Sequence, residues 1–94
     1  MNLMLVSLKL DPSRIEEVDR HLLEDVVSWA TRQTGFVSGQ WLRRGDGQQG
    51  LGLVVFATED QANAAAHGPR SQPSLQGRAW NTENVAIFEL VVQA

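Results

Sequence analysis

From Asn2 to Leu10 the chain is apolar almost without a break, and the run stops at Asp11-Pro12. Such a run bounded by a turn signal predicts a strand. Asp11 with Pro12 behind it predicts a helix start, a carboxylate capping the free amides and proline at the first helical position. Ile15, Val18, Leu22, Val26 and Trp29 or Ala30 then recur at helical spacing, with Glu16, Glu17, Arg20, Glu24 and Asp25 on the other side. This predicts one amphipathic helix closing at Thr34-Gly35, where glycine takes the left-handed conformation without steric cost. Two apolar runs, Phe36 to Arg44 and Leu51 to Ala57, flank Gly45-Asp46-Gly47-Gln48-Gln49-Gly50 and predict a hairpin. Thr58-Glu59-Asp60-Gln61 has the form of a capping box and opens an Ala-rich helix expected to end at His67-Gly68-Pro69. Residues 69–83 show no period and read either as a functional loop or as one hiding a short helical turn; Val85 to Val92 read as the last strand.

The resulting order, β-α-β-β-α-β, predicts a single α+β domain over residues 1–94 of ferredoxin-like architecture. Right-handed crossovers put both helices on one face of a four-stranded antiparallel sheet of order 4-1-3-2. The other face is then open, yet neither face is built for water. Met4, Val6 and Leu8 share one side of the first strand and Leu3 and Leu5 the other, while in the third strand Leu51, Leu53 and Val55 oppose Val54 and Phe56. Several hundred Å² of uncovered apolar surface would forgo on the order of ten kcal/mol at about 25 cal/mol per Å². A second copy of the chain, packing sheet face to sheet face across a two-fold axis, is the expected cover.

Two families share this order. Gln49-Gly50-Leu51-Gly52-Leu53-Val54-Val55-Phe56 resembles the RNP1 octapeptide of RNA-recognition-motif domains in spacing, with Leu3 to Leu8 in the place of RNP2. The aromatic and basic groups that stack and hold bases are replaced by Leu51, Leu53, Gln49 and Met4. Thr34-Gly35-Phe36-Val37-Ser38-Gly39, the Asp-Gly hairpin and Val54-Val55-Phe56-Ala57-Thr58-Glu59-Asp60-Gln61-Ala62 resemble the dimeric α/β-barrel superfamily, in particular its antibiotic-biosynthesis-monooxygenase-like group. That resemblance implies a homodimer with a mostly apolar ligand pocket and cofactor-free oxygenation of a small aromatic compound. Its haem-degrading branch would require a first-strand Asn, a Trp in the second helix and an iron-ligating His after it. Here only Asn2, an Ala64-Ala65-Ala66 stretch and His67 stand in those places.

Composition narrows the chemistry. The chain has no Cys, which removes disulfides and thiolate chemistry, and its net charge of −3 attracts neither nucleic acid nor an anionic membrane. The first ten residues lack a basic n-region, carry Lys9 and are too short to span a bilayer, so a cytoplasmic protein without a membrane segment is expected. No cofactor and no metal site are expected. Gly45-x-Gly47-x-x-Gly50 joins two strands instead of leading into a helix, so it is a hairpin loop and offers no pyrophosphate site. Glu17, His21 and Asp25 share a helical face and read as a solvated polar surface. Trp29 reads as core.

The candidate ligand-binding residues are Trp41, Arg43, Trp80, Leu51, Leu53 and Met4; Arg78 is a further counterpart by residue type. His67, beside Gly68-Pro69, and Glu89, inside an apolar strand, are the candidate acids or bases. Shifting the hairpin by one residue would exchange Trp41 and Arg43 for Gln40 and Leu42 on the cavity face. A non-catalytic ligand-binding or structural dimer is the alternative. A cavity lined by Trp with at least two convergent polar side chains favours an enzyme; one filled by Leu, Val and Met favours the alternative.

Overall fold

A computed structural model describes residues 1–94. Four strands, β1 (Asn2–Leu10), β2 (Phe36–Arg43), β3 (Gln49–Phe56) and β4 (Trp80–Glu89), form one antiparallel sheet of order β2-β3-β1-β4. This is the ferredoxin-like order expected from the sequence. After β1, Asp11 accepts from the Ser13 amide and Pro12 opens a 3-10 turn. The helical segment that follows is not uniform. It comprises α1 (Ile15–His21), a π-helical turn at Leu22–Val26 and α2 (Val27–Thr31), with the Val27 amide donating to the Leu22 carbonyl. Gly35, at φ 83°, turns the chain into β2 as its position predicted.

α3 (Glu59–Arg70) begins at the full capping box, Thr58 accepting from the Gln61 amide and Gln61 from the Thr58 amide, each at 3.2 Å. It runs three residues past His67, with Pro69 inside its last turn. Gly68 therefore does not end the helix. Its role is clearance, since a Cβ there would lie 2.9 Å from Cζ2 of Trp29.

The core lies between α3 and the sheet. Phe56, Met4 and Val54 are the largest fully buried side chains, and Ala62, Ala65 and Ala66 of α3 seal them. Alanine at these positions brings the helix backbone close to the sheet. Met4 opposes Val54 and Ile87 in the ladders and so belongs to this helix-facing core, not to the open face on which a nucleic-acid-binding sheet would display it.

β4 starts at Trp80, five positions before the apolar run that announced it, because Trp80 to Asn84 are held by pairing with β1 and do not need apolar side chains. The run also overshoots: Val91 and Val92 are exposed beyond the strand. The open face carries Leu3, Leu5, Leu51, Leu53 and Val55 at its centre, with Leu42 and Phe88 about half exposed at its margins. No helix is long and apolar enough to cross a membrane.

Candidate functional site

Val18, Leu22 and Val26 recur on the helical segment 15–31 as an apolar stripe, but none is buried. In place of close packing they roof a cavity of about 680 Å³ between this segment and the sheet, a volume typical of small-molecule sites. Met4, Val6, Leu8 and Leu10 of β1 and Val54 of β3 line its floor.

The hairpin register answers which side of β2 lines the cavity. Trp41 opposes Gly52 and Arg43 opposes Gly50, so both face the helices, while Gln40 and Leu42 alternate to the other side. Trp41 lies flat because its neighbours have no side chains. A Cβ on Gly39 would come within 2.6 Å of its ring and one on Gly52 within 3.3 Å. Arg43 donates to Asp19 at 2.5 Å and ties β2 to α1 across the cavity.

Trp80, at the first position of β4, forms the opposite wall. The His21 imidazole stacks on it, with ring centroids 3.9 Å apart and planes inclined by 13°. His21 Nδ1 is 3.0 Å from Asp25 Oδ2. An ionised carboxylate only accepts, so Nδ1 carries a proton, and in the neutral imidazole the acceptor is then Nε2. Nε2 makes no hydrogen bond within the chain, and no side-chain nitrogen is buried without a partner, which leaves Nε2 reachable. Arg78 brings its guanidinium carbon to 5.6 Å from the Trp80 ring centroid while donating to the Trp80 carbonyl.

Of the residues singled out from the sequence, Met4, Trp41, Arg43 and Trp80 come together around the cavity, while Leu51 borders it from β3 with its side chain on the open face. Leu53 lies on the open face, two residues along β3 from Leu51 and opposite Leu5. His67 is exposed on α3 and Glu89 is exposed at the end of β4, opposite Asn2; neither reaches the cavity. Trp29, read as core, packs against the core and also closes one end of the cavity.

His21 and Asp25, read as part of a solvated face, are cavity residues. Glu17, the third member of that face, turns to Arg14 at 2.7 Å. No three acidic or histidine side chains converge as a metal would require. The signal that could have found the pair is helical spacing: Asp25 follows Val18 by two turns and lies on the same side. Asp11 and Asp46 are held below the usual carboxylate range by hydrogen bonds from Ser13 and Arg44 respectively, but both sit in turns outside the cavity.

No family model matches the chain, and no curated protein matches it. Among solved structures it is similar to the heme-degrader MhuD from Mycobacterium tuberculosis, with two hemes bound in its active site: TM-score 0.75, 14% identity, 100% of this chain and 99% of that one covered. It is also similar to a monooxygenase from the gene ActVA-Orf6 of Streptomyces coelicolor in complex with nanaomycin D, at TM-score 0.62 and 15% identity over 99% and 92% of the two chains. A third is SnoaB, a cofactor-independent oxygenase from Streptomyces nogalater, at TM-score 0.58 and 19% identity over 98% and 95%. At these identities the likeness is one of fold, the ferredoxin-like fold that these proteins share with this chain. The residues that would hold haem by that resemblance do not assemble here. His67 is outside the cavity, α3 has no aromatic side chain, and Asn2 sits at the far end of β1 from Trp80, which pairs with Leu10.

Proposed function

We propose that residues 1–94 act as one domain of a homodimeric, cofactor-independent monooxygenase that takes a small aromatic compound into the cavity between the helical segment 15–31 and the sheet. The observation that carries this reading is the lining. Trp29 and Trp41 supply flat apolar surfaces, Trp80 backs the His21 ring, and His21, Asp25, Asp19 and Arg43 converge on the same space. A cavity serving only as a packing defect in a structural dimer has no use for four polar side chains at its edge. A monooxygenase of similar fold is known in complex with the small molecule nanaomycin D, which supports a small-molecule occupant.

The reaction class is oxidation of a phenolic ring to a quinone by molecular oxygen, one oxygen atom entering the ring and the other leaving as water. Subunit pairing rests on the apolar open face, whose Leu3, Leu5, Leu51 and Leu53 would be covered by the same face of a second copy. Oxygen uptake with anthrone as substrate, in buffer containing a chelator and no added cofactor, tests the activity. Protein-dependent uptake accompanied by anthraquinone formation supports it, and uptake no faster than without protein overturns it. Sedimentation at low concentration tests the pairing. A mass of twice 10.4 kDa is expected, and 10.4 kDa contradicts it.

A further inference from the structure

We infer that His21 and Asp25 form the proton-accepting pair of this cavity, and that the compound it takes carries an aromatic hydroxyl which binds as the phenolate against His21 Nε2. The inference rests on the proposed phenolic-substrate reading and goes further, naming the residue pair that takes the proton and the atom that meets the hydroxyl.

Four observations carry it. Asp25 fixes the imidazole through Nδ1 at 3.0 Å, which selects the tautomer with a basic Nε2. The Trp80 ring, stacked at 3.9 Å, holds the imidazole plane from one side, so its direction is set by two contacts at once. The pair sits where α1 passes into the π turn, a local irregularity that recurs at functional positions in helices. Both side chains line the cavity, and Nε2 has no partner within the chain.

The step is a proton transfer. The ligand O–H bond breaks, its electron pair stays on oxygen, and the proton forms a new bond to Nε2. The resulting imidazolium is stabilised by the Asp25 carboxylate on one side and the phenolate on the other.

Of the other charged groups near the pair, Arg20 and Glu24, which flank it on the helix, are exposed and do not line the cavity, and the rest are engaged. Asp19 and Arg43 neutralise each other across the cavity, Glu17 is held by Arg14, and Arg78 is bound to the Trp80 carbonyl, the Pro73 carbonyl and Asn81. Asp25 is therefore the carboxylate left to answer a charge on His21. An aromatic ligand lacking the hydroxyl would still stack on Trp41, but it would gain nothing from His21.

Alizarin, a flat phenol whose colour reports its ionisation, and anthraquinone, its counterpart without hydroxyls, are the probes. Quenching of Trp fluorescence measures binding of each, and the visible spectrum of bound alizarin across pH measures its ionisation midpoint. The expected result is that both bind and that the midpoint of bound alizarin falls by about one pH unit relative to the free dye. In His21→Gln the midpoint should return to that of the free dye, while anthraquinone affinity stays within about threefold. Asp25→Asn should give an intermediate midpoint, a response that mere loss of packing would not produce. Binding of both probes with an unshifted midpoint, or a midpoint insensitive to both substitutions, overturns the pair and leaves the aromatic cavity standing. Failure of both probes to quench Trp overturns the cavity reading with it.

Discussion

The two helical layers treat the same sheet in opposite ways. α3 meets it through Ala62, Ala65 and Ala66, of which none is more than 4% exposed, and the space beneath is filled by Phe56, Met4 and Val54. The segment 15–31 meets it through larger residues, Val18, Leu22 and Val26, none of which is buried. Small residues let a helix settle on a sheet; larger ones here hold it away. Stability is thus concentrated under α3, and the space available to a ligand lies under the other helix.

Substitutions should separate the two sides, and the largest effect belongs to α3's side. Phe56→Ala should cost about 3–5 kcal/mol, read as a lower urea midpoint, because the vacated space has no neighbour free to fill it. A loss under about 1 kcal/mol would show that the packed side is looser than its burial implies. Ala66→Leu should cost about 1–3 kcal/mol by overpacking. Next comes Thr58→Ala, which removes one arm of the capping box and should cost about 1 kcal/mol.

The mirror experiment on the cavity side is Val26→Leu. It should change stability by no more than about 0.5 kcal/mol while weakening anthraquinone binding severalfold, because the added methylene occupies empty space. A destabilisation as large as that of Ala66→Leu would erase the contrast.

The smallest effect concerns pH. Arg44 holds Asp46 below the usual carboxylate range in the hairpin turn, and that contribution is present above the unfolded pKa and lost as pH falls through the lowered one. Since the group is exposed, the thermal midpoint of Asp46→Asn should differ little from the parent at pH 7 and converge with it in acid.

The packed side was largely legible in the sequence. Thr58 to Gln61 declare a helix start by hydrogen-bonding chemistry alone, and the apolar runs of β1 and β3 declare a central pair of strands. The limits of β4 were not legible, since Trp80 to Asn84 owe their conformation to pairing with β1, a long-range contact that leaves no mark on side-chain polarity. Trp41, Arg43 and Trp80 could be named from residue type, but the hairpin register was needed to bring Trp41 and Arg43 to the cavity side.

His21 and Asp25 were missed for a different reason. A polar residue beside an apolar stripe is usually solvated, and only the standoff of the helix turns that border into a cavity wall. His67 and Glu89 drew notice through their sequence neighbours, yet a helix end and a strand end at the rim of the sheet put both in solvent.

The π turn at Leu22–Val26 has a consequence for how the helical segment tolerates change in length. An α-helix rotates about 100° per residue, so deleting one residue from this turn would swing everything after it by more than a quarter turn relative to everything before. Trp29 and Ala30 could then keep their places against the core, or His21 and Val18 could keep theirs over the cavity, but not both. The extra residue works as a phase adjuster that lets one continuous helical segment satisfy two separate aiming requirements. A one-residue deletion here should therefore be harsher on ligand binding than the same deletion in the exposed loop 71–77.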